Sequence, residues 1–102
     1  MKLKEDGWKL VGHLGIDAGI CWIGDPCYIL HTKELPGSVG KNWGDFCEII
    51  NAGEITSFGY DSGEEGLGIC VSTGWGDGYY PVYARLEQGR VMQIYIDFNF
   101  DG

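Results

Sequence analysis

"YYPVYARLEQGRVMQIYIDFNF" (79–100) alternates apolar and polar residues on both sides of "EQG". Period-two alternation around a short glycine-containing segment reads as an antiparallel hairpin, here with a three-residue turn and Gly89 left-handed. If Leu86 pairs with Arg90, the even positions Tyr80, Val82, Ala84, Leu86, Met92, Ile94, Ile96, Phe98 and Phe100 share a core face. The opposite face then sets Tyr79, Pro81, Tyr83 and Arg85 against Asp97, Tyr95, Gln93 and Val91. Three tyrosines beside an arginine and a glutamine suit either intramolecular cover by a helix or a subunit interface, where Tyr and Arg serve as anchors.

The rest of the chain extends this β-rich reading. "GWKLVGHLG" (7–15) and "AGICWIG" (18–24) are two strands, and "CYIL" (27–30) is a short apolar run after Pro26. In "NWGDFCEII" (42–50), Trp43, Phe46, Cys47, Ile49 and Ile50 recur at helical spacing. The spacing predicts one helix over 41–51, capped by Asn42 or Ser38 and ended at Asn51 and Gly53. "EITSFGY" (54–60), "DSGEEG" and "LGICVST" (67–73) form another hairpin. Its small-residue face of Gly66, Gly68, Cys70 and Ser72 admits close approach of the helix or a ligand. The expected fold is α+β: an antiparallel, twisted sheet or small barrel of six or seven strands with one helix. The 102 residues make a single domain, with Val11, Ile20, Ile23, Phe46, Ile50, Ile69, Val71, Val82, Ile94 and Ile96 in the core.

Composition narrows the function. A hydrophobic fraction of 44% belongs to a folded chain, and 18 glycines without a collagen period fall between apolar runs as turn residues. A net charge of −8 opposes extended nucleic acid and anionic membrane surfaces, while a small anion held by one or two arginines stays compatible. The opening residues carry no export pattern and no apolar run approaches about 18 residues. The expectation is a soluble cytoplasmic protein whose Cys21, Cys27, Cys47 and Cys70 stay reduced.

"STGWGDGYYPV" (72–82) has an echo in "WIGDPCY" (22–28), with Asp25 matching Asp77 and Tyr28 matching Tyr80. Asp beside Gly or Pro forms turns, so two related turns are the simplest account. That account leaves unexplained a tryptophan close before each aspartate, Trp22 and Trp75, and a tyrosine three residues after it. Aromatic walls beside carboxylate acceptors suit a flat ligand with amino or amide groups. The candidate ligand residues are Trp22, Asp25, Tyr28, Trp75, Asp77 and Tyr80, with Arg85 or Arg90 holding a phosphate. The candidate interface is Tyr79, Tyr83, Gln93 and Tyr95, in a homo-oligomer.

These two segments resemble a family of small, largely uncharacterised bacterial and phage proteins. The family shares Gly-Asp-Pro-Cys-Tyr, here Gly24–Tyr28, and Thr-Gly-X-Gly-Asp-Gly-X-Tyr-Pro-Val, here Thr73–Val82. The resemblance implies no catalytic residue. By analogy with phage sponges that sequester host nucleotide signals, it suggests capture of a nucleotide or cyclic nucleotide.

Metal and catalytic chemistry are weakly represented. Only Cys27 and His31 stand at a ligand-like spacing, no Cys-X-X-Cys occurs, and the acidic "DSGEEG" lacks the calcium-loop pattern. Neither a metal nor a cofactor is expected. A nucleophilic Cys27 with His13 or His31, or a hydrolytic Asp25–Asp77 pair, is the enzymatic alternative. A structural or protein-interaction module without a small ligand is another. The leading reading is a non-catalytic binder of a small planar ligand.

Overall fold

Two three-stranded antiparallel sheets, with helices in only one of the two units that carry them, make up the computed structural model, which describes residues 7–51 and 53–99. Strands β1 (Trp8–Ile16), β5 (Gly78–Glu87) and β6 (Arg90–Ile96) lie in the order β1-β5-β6. Strands β2 (Ile20–Gly24), β3 (Ile55–Gly59) and β4 (Glu65–Ser72) lie in the order β2-β4-β3. The class is α+β and mostly β, as read from the sequence. The single sheet or barrel of the sequence reading becomes two sheets, because β1 and β2 pair with β5 and β4 and not with each other. The sheets belong to two compact units, one of residues 7–19 and 73–99, the other Ile20–Ser72.

In the first unit, the predicted hairpin forms with a tighter turn. Gln88 and Gly89 both have positive φ, 52° and 77°, the conformation of a two-residue turn whose twist matches that of the strands. Glu87 therefore pairs with Arg90, and Met92 is extra in a bulge opposite Leu86. Beyond the bulge Tyr83 faces Tyr95 and Arg85 faces Gln93, a shift of two residues from the expected register. A shift of two preserves the side-chain faces, so the two predicted faces survive. Tyr80, at 2% exposure, and Ala84 are buried on the even face with Ile16, and Phe98 meets Tyr80 edge-on at 5.4 Å. Phe100 lies outside the described residues. Ile94 is 55% exposed because β6 is an edge strand, and Val11 is exposed because it is the extra residue of a bulge in β1. At the unit's other end, the Thr73 N–H donates to the Gly19 carbonyl at 3.0 Å.

In the second unit the apolar run "CYIL", the optional seventh strand of the sequence reading, is instead a single helical turn, α1 (Cys27–Leu30). Pro26 explains the change: its fixed φ of −65° suits a helix start, and its carbonyl accepts from Leu30 N at 2.8 Å. The predicted helix is α2 (Trp43–Ile50). Of its two candidate caps Asn42 is the one used, its Oδ1 accepting from Asp45 N at 2.9 Å, while Ser38 donates to the Gly59 carbonyl.

The core of this unit is Val39, Phe46, Phe58, Leu67 and Cys70, with Ile20, Trp22, Ile50 and Tyr60 packed around them. Gly68 and Gly24 give the Trp22 indole its place, since a Cβ on Gly24 would stand 2.9 Å from Trp22 Nε1. The small-residue face thus takes the aromatic packing. Ile23 and Ile69, paired across β2 and β4 on the opposite face, are exposed and not in the core as expected.

Candidate binding site

The α1 turn, the 3-10 turn Gly37–Val39 and the N-terminus of α2 surround a cavity of about 340 Å³. Its walls are Trp22 from β2, Ile29 from α1, Leu35 and Val39 from the intervening segment, and Trp43 and Phe46 from α2. Asn42 is the single polar lining residue. The helix repeat explains the aromatic pair: Trp43 and Phe46, three residues apart, stack at 5.8 Å. Trp22 meets Phe46 edge-on at 6.1 Å. Trp43 is 59% exposed, so the cavity opens to solvent beside a large aromatic surface. Trp22 Nε1 is buried without a hydrogen-bond partner among the described residues. An orphaned buried donor costs about 1–3 kcal/mol.

A second, polar groove adjoins this cavity, with Leu35 as a shared wall. It holds Glu34, Asp45, Glu48 and Asp61 against Lys33 and Lys41. Asp45 and Asp61 accept from the backbone N–H groups of Lys41 and Gly37 and so brace the loop at whose end α2 begins.

Of the candidate ligand and interface residues, Trp22, Asp25 and Tyr28 lie in Ile20–Ser72; the others lie in the sheet of β1, β5 and β6 or its adjoining turn. Trp22 lines the cavity. Asp25 closes an Asx turn, its Oδ1 accepting from Cys27 N at 3.0 Å, and this bond holds its carboxyl below the usual range. Tyr28 packs against Tyr60 at 5.1 Å, and the nearby Tyr60 phenol, more than partial burial, pushes its own hydroxyl pKa up.

The second Gly-Asp segment is a different turn. Thr73 and Gly76 exchange hydrogen bonds, Gly76 takes φ +78°, and the chain continues into β5 rather than a helix. Trp75 is 71% exposed with its Nε1 donating to Asn99 Oδ1 at 2.7 Å, and Asp77 is exposed. Tyr80 is no site wall: its ring is interior and its hydroxyl donates to the Gly76 carbonyl at 2.8 Å. Arg85 donates to Gln93 and to Glu87. Arg85 and Arg90 sit toward the far end of β5 from Asp77, roughly 20 Å or more away at about 3.3 Å per residue. Within this unit Arg85 and Arg90, expected from the sequence to hold a phosphate, do not join Trp75 and Asp77.

The candidate interface residues do share a face. Tyr83 and Tyr95 are 6.2 Å apart, Trp8 meets Tyr95 edge-on at 6.4 Å, and His13 stacks on Tyr79 at 4.6 Å. The sequence reading missed Trp43 as a site residue because it used the apolar spacing of 42–50 only to predict the helix and drew its aromatic walls from the two Gly-Asp segments. The available signal was Trp43's place directly after the cap, where a first-turn side chain reaches the helix end.

Thiol chemistry is turned down at Cys27, whose pKa is raised by desolvation and then by the Asp25 carboxylate. Among the described residues no three His, Cys, Asp or Glu side chains converge as a metal site, and no helix is long and apolar enough to cross a membrane. No family model, no curated protein and no solved structure matches the chain.

Proposed function

We propose that the protein is a non-catalytic binder of a small planar ring, seated in the Trp22–Trp43–Phe46 cavity. The carrying observation is that cavity itself: about 340 Å³, apolar except for Asn42, and walled by three aromatic side chains. That volume falls at the small end of ligand pockets, and one polar group among apolar walls is their usual composition. Asn42 uses Oδ1 to cap α2, which leaves its amide N–H groups for a ring acceptor. Capture of a nucleotide or cyclic nucleotide signal is the wider form of this proposal, and the cavity supports its base-binding half. For the hydrolase alternative, desolvation and the neighbouring Asp25 carboxylate disfavour the Cys27 thiolate that a nucleophile needs.

A second observation favours self-association. The Trp8, Tyr79, Tyr83 and Tyr95 face, which also carries Arg85 and Gln93, leaves Tyr79 largely exposed, a composition typical of interface anchors. We propose this face as the homo-oligomer contact. A reducing, cytoplasmic setting fits the four free thiols.

Titration of planar heteroaromatic rings against tryptophan fluorescence, with thermal shift in parallel, tests the binding proposal. Binding predicts quenching, stabilisation of RT ln(1 + [L]/Kd), recovery of unaltered ring, and loss of all three in Trp43→Ala. Stabilisation that persists in Trp43→Ala overturns the assignment of the cavity.

A further inference from the structure

The cavity has aromatic walls, and the unit that carries it is strongly acidic. Within Ile20–Ser72 eight carboxylates stand against Lys33 and Lys41, so this unit holds most of the chain's net charge of −8. The imbalance reaches the cavity's edge: the groove across Leu35 has Glu34, Asp45, Glu48 and Asp61 against the same two lysines. The cavity wall itself presents no charged side chain.

Resting on the planar-ring proposal above, and narrowing it away from its nucleotide form, we infer that the preferred ligand is a planar monocation, a ring bearing positive charge, and not a phosphate- or carboxylate-bearing one. Two independent effects point the same way. Indole and phenyl faces carry negative quadrupole potential, so Trp22, Trp43 and Phe46 attract a cation and repel an anion. The adjoining carboxylates add a field of the same sign, which salt damps over a Debye length of about 10 Å at 0.1 M. A neutral ring keeps only the apolar and stacking contribution. An anionic ring meets repulsion from both sources.

Three rings of nearly equal shape separate charge from fit: 1-methylnicotinamide (cation), nicotinamide (neutral) and nicotinate (anion). Their affinities for the intact chain are measured by tryptophan quenching at low salt and again at about 0.5 M salt. The expected order is cation, neutral, anion, with about tenfold between the first and last at low salt, narrowing at high salt. In the double variant Glu34→Gln, Glu48→Gln, which alters only the groove, the cation should weaken several-fold while nicotinamide is unchanged. Equal affinity for all three rings, or preference for nicotinate, overturns the charge selectivity and leaves the planar-ring cavity standing. Absence of binding by any of the three overturns both.

Discussion

The Trp22 indole rests against Gly68 so closely that no side chain fits at that position: a Cβ there would overlap the ring outright. The contact joins β2 to β4 through the core face of their sheet and fixes one wall of the Trp22–Trp43–Phe46 cavity.

Gly68→Ala should therefore destabilise the protein by about 1–3 kcal/mol, the usual cost of overpacking. Urea denaturation measures it. Trp22→Phe shortens the offending ring, so the double variant should lose less than the sum of the two single variants.

Asn42 has two separable roles, and substitution tells them apart. Asn42→Ala should cost about 1 kcal/mol through the lost α2 cap, while Asn42→Ser should keep most of that stability. Both remove the amide at the cavity, so both should weaken ring binding to a similar extent. Equal stability of the two variants would show that the cap bond contributes nothing.

The thiols should react in the order of their burial. Cys27 is exposed and should be modified first in the native protein; Cys21 and Cys70 are buried, and desolvation raises both pKa values. Denaturation should release all four to a thiol reagent. Because the folded pKa values of Cys21 and Cys70 lie above the ordinary 9.0, the unfolded chain ionises first and stability should fall as pH rises past about 9.

Asp25 acts at the other end of the pH scale. Its folded pKa is depressed below the ordinary 3.8, so its contribution is present above that value and lost as pH falls through the lowered one. Comparing Asp25→Asn with the wild type by denaturant midpoint should show a constant difference above about pH 5. That difference should vanish in stronger acid.

Light scattering at micromolar concentration tests the tyrosine face, where an oligomer is expected. Tyr83→Glu should weaken its association by about 2 kcal/mol or more without unfolding the chain. A wild-type monomer removes the self-association proposal.

Much of the fold was legible because alternation and helical spacing depend only on nearest neighbours. The hairpin of β5 and β6, the Asn42-capped helix and the close-packed Gly68 face all follow from such local rules. Register was less legible: "EQG" admits a two- or three-residue turn, and the choice rested on Gln88 accepting positive φ. Which face of β2 and β4 is interior depends on where Trp22 and Phe46 meet, a long-range fact, so Ile23 and Ile69 were misplaced. The site was legible only at Trp22. Similar Gly-Asp letters yielded one turn entering a helix and another entering a strand, because Pro26 is missing from the second.

The hydrogen bond between Thr73 and Gly19 has a kinetic meaning. These residues flank the whole of Ile20–Ser72, so the strands β1 and β5 can pair only after that long intervening segment has been brought back on itself. Closing an unstructured loop of such length costs on the order of 3 kcal/mol. The inner segment contains its own sheet and both helices, and once folded it returns its ends without that entropic penalty. The pairing of β1 with β5, whose contacts have the greatest sequence separation, thus forms faster when the intervening segment is already ordered. Mutations that loosen Trp22 or Phe46 will slow the pairing of strands that touch neither residue in sequence.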